Sequence, residues 1–215
     1  MSQKLINEPQ LREMLVSHKT WVESIAKATK PVLGNKLILS DLSLSSLDLS
    51  DADLTCVEML NCEISRSRFV QCDFTDALLI GCTFLDCSFI RCNFYKADMR
   101  EAKFINADFS QSDLSRVDLT DAALRSANLT DCKLNWSWLV RTDLRDAVLE
   151  KTGFRGTRFI ETKLYNSKKF HLGASDQAVI ESIDISPNGN GTKIDGHNSL
   201  EWLQKETTVL QGDAL

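Results

Sequence analysis

Seven cysteines and three histidines are the side chains of this 215-residue sequence best suited to hold a metal or attack a substrate. Cys62, Cys72, Cys82, Cys87, Cys92 and Cys132 recur at multiples of five residues, and no histidine falls among them. Zinc sites bring their ligands in closely spaced pairs, which this pattern does not supply. His18, His171 and His197 are far apart in sequence and have no nucleophile motif beside them. Carboxylates are plentiful, with Asp53, Asp73, Asp98, Asp108, Asp113, Asp118 and Asp143 on the same five-residue spacing. A turn that favours Asp accounts for such a series without acid–base chemistry. The sequence also lacks a glycine-rich phosphate loop. The expectation is therefore a non-enzyme, with no catalytic, cofactor-binding or metal-binding residue. Cys56 alone falls off the inward phase described next, which makes it the most reactive thiol expected.

The spacing that arranges these residues runs through the middle of the chain. From Leu39 to Leu164 every fifth residue is large and apolar, 26 consecutive times, and nine of the ten Phe residues lie on this phase. Two positions earlier the residue is usually small, as in Ala52, Cys62, Ser67, Cys72 and Ala77, and the exceptions Leu37, Leu42 and Leu47 cluster at the start. Helical faces recur near 3.6 residues and strand faces near 2, so neither explains a period of five. A chain that turns a corner every five residues does explain it, with the small and the large residue of each unit pointing inward. Four sides close a coil of about 20 residues, and coils stack at about 4.8 Å. Close packing then demands a small residue beside each large one.

Ala52-Asp53-Leu54-Thr55, Ala107-Asp108-Phe109-Ser110 and Ala127-Asn128-Leu129-Thr130 show the unit at its clearest. The pattern resembles the pentapeptide-repeat family, over residues 37–166. That resemblance implies an all-β solenoid, the family's right-handed quadrilateral parallel β-helix. At four units per coil the array makes about 6.5 coils and a rod about 30 Å long. Residues 1–36 are expected to form an N-terminal helical cap, since Leu11, Met14, Leu15, His18, Trp21, Val22 and Ile25 recur at helical spacing before Pro31 and Gly34. Residues 167–215 are expected to be a C-terminal cap or dimerisation tail. Within them Ala174 to Ser182 suggests a short helix, Ser186 to Gly191 a loop, and Asn198 to Leu210 a helix.

Composition narrows the function classes. Net charge is −5, and all of it belongs to the last 45 residues, where two basic side chains face seven acidic ones. Residues 51–170 carry 17 basic and 18 acidic groups, which argues against direct nucleic-acid binding. No apolar run approaches a membrane span. So many thiols in buried repeat positions point to a reducing compartment, hence the cytoplasm.

The outward positions break the polar rule in one region. Leu60, Leu78, Ile80, Trp138, Val140 and Ile160 share one side by their 20-residue register, Trp136 precedes the same corner, and Leu85 and Ile105 occupy the neighbouring side. Exposed apolar patches of this kind mark interfaces. These nine residues are the candidate protein-interaction site of a non-catalytic scaffold. Either an outside protein, a second subunit joined through the C-terminal tail, or the tail itself covers them. The family resemblance leaves two narrower alternatives open, binding of DNA gyrase or a related topoisomerase by DNA mimicry, and a secreted bacterial effector.

Overall fold

A computed structural model describes residues 8–27, 34–168, 172, 177–189 and 193–195. The repeat region is a β-solenoid of about seven turns. One helix precedes it, α1 (Glu8–Ala26). The first coils carry β1 (Ile38–Ser40), β2 (Ser43–Ser45), β3 (Glu58–Leu60), β4 (Glu63–Ser65) and β5 (Thr83–Leu85). The last coils carry β6 (Trp138–Val140), β7 (Arg158–Ile160), β8 (Thr162–Lys163), β9 (Val179–Ile180) and β10 (Ser182–Asp184), and β11 (Lys193–Asp195) lies antiparallel on β10. Between β5 and β6 each side shortens to a single parallel bridge, always between residues 20 apart. One ladder runs Ile38, Glu58, Leu78, Asp98, Asp118, Trp138, Arg158 and Val179.

Two local devices make the corners. The amide three residues after each large apolar residue often donates back to its carbonyl, as in Ala52 to Leu49 (3.1 Å) and Ala77 to Phe74 (3.0 Å). The residue just before that amide has positive φ, from Asp41 (55°) to Asn166 (54°), the signature of a type II turn. The recurring Asp or Asn then accepts from the amide two residues on: Asp73 from Thr75 (2.8 Å), Asp108 from Ser110 (2.9 Å), Asp118 from Thr120 (2.9 Å). These carboxylates therefore have the turn-forming role that their spacing suggested.

Inside, the large residues stack in columns. Phe69, Phe89 and Phe109 lie 4.9 Å apart with nearly parallel rings, Phe74 and Phe94 4.7 Å, and Phe84 and Phe104 5.0 Å. Adjacent columns meet edge to face, as at Phe84–Phe89 (5.3 Å, 79°), the arrangement ring quadrupoles favour. From Leu54 to Leu164 every large inward residue is buried.

The ends depart from the repeat. Leu11, Met14, Leu15 and His18 line one face of α1; Leu11 belongs to the core, and Met14 and Leu15 pack against it. His18 accepts the Leu37 amide proton on Nδ1 (2.9 Å). Gly34 lets the chain turn back, since a Cβ there would sit 2.1 Å from the Ser17 carbonyl oxygen. Ile25, expected on the buried face, is 48% exposed, while Ser24 beside it is buried. At the other end the expected helix over 174–182 is corrected: Val179–Ile180 and Ser182–Asp184 are strands that pair in parallel with β7 and β8. Residues 186–189 turn, with the Gly189 amide bonded to the Ser186 carbonyl (3.1 Å). The expected helix over 198–210, and His171 and His197, lie outside the described residues.

Phe89 touches Phe69, Phe74, Phe84, Phe94, Phe104 and Phe109. Phe89→Ala should therefore cost about 3–5 kcal/mol in urea denaturation; a loss under about 1 kcal/mol would place Phe89 outside the core. Burial lowers the His18 pKa, with Asp53 opposing and Lys36 assisting. The unfolded form then takes up a proton near pH 6.5 that the native form refuses, so stability falls as pH drops. Between pH 7 and 5 the melting temperature of the wild type should fall more than that of His18→Gln. Equal slopes would show that His18 titrates freely.

Candidate interaction surface

The side built on the ladder from Ile38 to Val179 displays two outward columns. Leu78, Trp138 and Arg158 belong to one, and Leu60, Ile80, Val140 and Ile160 to the other. Leu60, Leu78, Ile80, Val140 and Ile160 are half-buried, while Trp138 is 47% exposed. The apolar residues are not continuous along this side. Asp98, with a bidentate hold on Arg100 (2.7 and 2.8 Å), and then Asp118 with Thr120 occupy the intervening coils. An N-terminal patch therefore gathers Leu60, Leu78 and Ile80 with exposed Ile38, and a C-terminal patch gathers Trp138, Val140 and Ile160 with exposed Val179. Ile38 was legible from the 20-residue register. Val179 was not, because the last coil holds 21 residues, pairing Arg158 with Val179.

The C-terminal patch has a fixed aromatic centre. The Arg158 guanidinium lies 4.9 Å from the Trp138 ring centroid and is itself held by Glu181 (2.7 Å). Trp136 stands at the preceding corner, 51% exposed, with its ring flat on Gly156. A Cβ at Gly156 would come within 2.4 Å of that ring, so only glycine at this turn leaves room for it.

Leu85 (41% exposed) and half-buried Ile105 lie on the neighbouring side. Above them that side is closed. Arg145 is buried, holds Asp143 through two bonds (2.8 and 2.7 Å), and donates to the Pro187 carbonyl (2.6 Å), so the 186–189 turn covers it. Burial raises the Asp143 carboxyl pKa even though Arg125 pulls it down. A cavity of about 500 Å³ opens beside this turn, where small Ala123 takes the place that Lys103, Asp143 and Lys163 hold in its column. Asp121–Arg141 (2.6 Å) and Glu161–Lys193 ion pairs line it, and each cation holds its carboxyl below the usual range. Sequence reasoning missed this cavity because the covering turn lies beyond the repeat.

The cysteines form a structural series. Cys72, Cys82, Cys87 and Cys132 donate from Sγ to the carbonyl 23 residues back, on Leu49 (2.9 Å), Met59 (3.2 Å), Ile64 (3.6 Å) and Phe109 (2.8 Å). Ser112, Thr142 and Thr152 do the same from their hydroxyls to Phe89, Leu119 and Leu129 (2.6 to 2.8 Å). Cys62, Cys72, Cys82, Cys87, Cys92 and Cys132 are buried and free. Burial pushes the Cys87 thiol up to about 11 and Cys132 to about 12. Cys56 sits partly exposed on a positive-φ corner, and burial followed by Asp76 raises its pKa too. Among the described residues no cluster of three or more His, Cys, Asp or Glu side chains could hold a metal.

The pentapeptide repeat region family model matches residues 62–139 and 82–159. The repeat region, residues 62–159, belongs to the pentapeptide-repeat family. Solved structures of similar fold include QnrB1, a plasmid-mediated fluoroquinolone resistance protein, in a trypsin-treated form. It is 15% identical over 80% of this chain and 89% of its own, with a TM-score of 0.47. HetL, a pentapeptide repeat protein involved in heterocyst differentiation regulation in the cyanobacterium Nostoc sp., is 15% identical over 80% of this chain and 97% of its own, with a TM-score of 0.26. A pentapeptide repeat protein of the Arabidopsis thaliana thylakoid lumen is 25% identical over 53% of this chain and 65% of its own, with a TM-score of 0.22. No curated protein matches the chain.

For this pentapeptide-repeat protein, thiol labelling tests the cysteine assignment. Cys56 should react first, and more slowly at pH 8 than a thiol of the unfolded chain, because the thiolate is the attacking form. The other six should wait for denaturation. Rapid modification of all seven native thiols would refute packing as their role.

Proposed function

We propose that this pentapeptide-repeat protein is a non-catalytic scaffold that binds another protein through the patch of Trp136, Trp138, Val140 and Ile160. The observation that carries this reading is the exposure of two tryptophans on a rod whose large inward residues are buried from Leu54 to Leu164. Tryptophan and arginine are the commonest interface hot spots, and a ring already clamped by Arg158 and Glu181 loses little freedom on binding. The half-buried Leu60, Leu78 and Ile80 form a secondary contact three coils away. In this reading residues 1–36 and 167–215 close the two ends of the 37–166 rod. Free thiols bonded to backbone carbonyls favour a reducing, cytoplasmic setting. Among the described residues no helix is long and apolar enough to cross a membrane. Topoisomerase binding by DNA mimicry has weaker support, since a mimic presents an acidic body and residues 51–170 are nearly neutral.

The test compares partners captured by the wild type and by Trp136→Ser/Trp138→Ser, quantified by mass spectrometry. Both positions face outward, so the melting temperature should hold. A partner seated on the patch should lose at least about 30-fold in affinity, the equivalent of about 2 kcal/mol at a hot spot. Capture of the same partners at undiminished affinity would refute the patch.

A further inference from the structure

Another side of the rod, which adjoins the tryptophan side along one edge, has its charges sorted by height. It is built from residues 51–56, 71–76, 91–96, 111–116, 131–136 and 151–156, stacked through the bridges Asp53 to Asp73, Asp73 to Asn93, Asn93 to Asp113, Asp113 to Lys133 and Lys133 to Gly153. The two N-terminal coils carry Asp51, Asp53, Asp73 and Asp76 and no cation. The four that follow carry Arg91, Lys96, Arg116, Lys133, Lys151 and Arg155 against only Asp113 and Asp131. On the other sides opposite charges pair within the side, as in Asp48–Arg68, Asp98–Arg100 and Asp121–Arg141. Here Asp113–Lys133 is the ion pair among the described residues. Among the described residues the four N-terminal carboxylates have no cation at ion-pair distance. Lys96 and Arg116 instead rest on the Tyr95 ring (5.3 and 5.8 Å), midway along the side.

A surface acidic at one end and basic at the other is complementary to itself when turned end for end. We infer that this side is the interface of a two-fold, antiparallel pairing of two copies of the chain, a surface that shares only the Trp136 corner with the patch proposed above. Isologous contact of this kind sets residue i against j and j against i. With the axis between the 91–96 and 111–116 coils, Asp51 and Asp53 of one protomer face Lys151 and Arg155 of the other, and the reverse. A parallel arrangement would set like charges opposite each other. The two end coils, 51–56 and 151–156, are five rises of about 4.8 Å or about 24 Å apart, which exceeds the screening length of about 10 Å at 0.1 M salt. Each end therefore acts as a separate patch. The side measures about 25 Å by about 17 Å, roughly 400 Å² per partner, half of a standard interface. The pairing is accordingly weak and opposed by salt.

Sedimentation equilibrium of the full chain at 20 mM and 500 mM salt, with two charge-reversed variants, tests it. Asp51→Lys/Asp76→Lys neutralises the acidic half, and Lys151→Asp neutralises the coil that faces Asp51 and Asp53. All three positions are positive-φ corners, which already accept Lys at 96 and 151 and Asp at 121 and 131, so the fold should persist, as melting temperature verifies. The wild type should dimerise at 20 mM salt and dissociate at 500 mM. Each variant alone should remain monomeric at 20 mM, and an equimolar mixture should restore the dimer mass. Three results would overturn the inference: a monomeric wild type at 200 µM protein and 20 mM salt, a dimer that both variants preserve, or a mixture that stays monomeric. A dimer that survives the charge reversals but is lost with Trp136→Ser/Trp138→Ser would assign self-association to the aromatic patch instead.

Discussion

Parallel backbone pairing sets the rise from coil to coil at about 4.8 Å, and the rest of the rod is fitted to that distance. Stacked phenylalanines need nearly the same spacing, and their centroids lie 4.7 to 5.0 Å apart. The core therefore fills without gaps when each coil repeats the one below it. The cost falls on the corners. Among the described residues, twenty-five that are not glycine hold positive φ, a conformation disfavoured by about 1–2 kcal/mol for an L-residue. An isolated corner has nothing to offset this, whereas a stacked one gains ladder bonds on both sides and buries its apolar pair. Stability is thus a property of neighbouring coils together, as in other solenoids.

The same geometry explains the polar atoms inside an apolar core. Each small inward residue lies against the carbonyl 23 positions back, which also accepts the turn amide. A second donor completes that carbonyl, and Cys, Ser and Thr supply one where Ala cannot. Ser112 goes further, accepting from the Cys92 amide (2.9 Å) while donating to Phe89. The thiols are thus interchangeable in role with hydroxyls, and their number reflects a packing site that tolerates any small residue. Burial then holds Cys87 and Cys132 protonated, the opposite of what a nucleophile or metal ligand requires.

The repeat itself was readable because its inward phase never slips from Leu39 to Leu164. The final coil was not, since one additional residue shifts its register and Ile183 takes a site where every coil from Ala52 onward has a smaller residue. With the five-residue phase gone, Ala174 to Ser182 suggests a short helix, and the pairing of Val179–Ile180 and Ser182–Asp184 with the coil below overrides it. On the surface, register correctly grouped Leu60, Ile80, Val140 and Ile160 into one column, but register says nothing about what separates them. Only the Asp98–Arg100 and Asp118–Thr120 contacts divide that side into two patches. The burial of Arg145 could not be read from the repeat, because the turn that covers it lies 42 residues away in sequence.

A core that prescribes every inward residue leaves the outward ones free, so recognition can be written on each side separately. Two of the sides meet at Trp136. Its ring occupies the corner between the charge-sorted side and the tryptophan side, resting on Gly156. The interior beneath is close-packed, with Phe89, Phe109 and Leu114 fully buried, and such packing resists the graded deformation that would carry a signal between faces. Any influence of one surface on the other must then be steric. A protein seated over Trp136 from one side would exclude an occupant reaching the same corner from the other, so a rigid rod can make two binding events compete without changing its own shape.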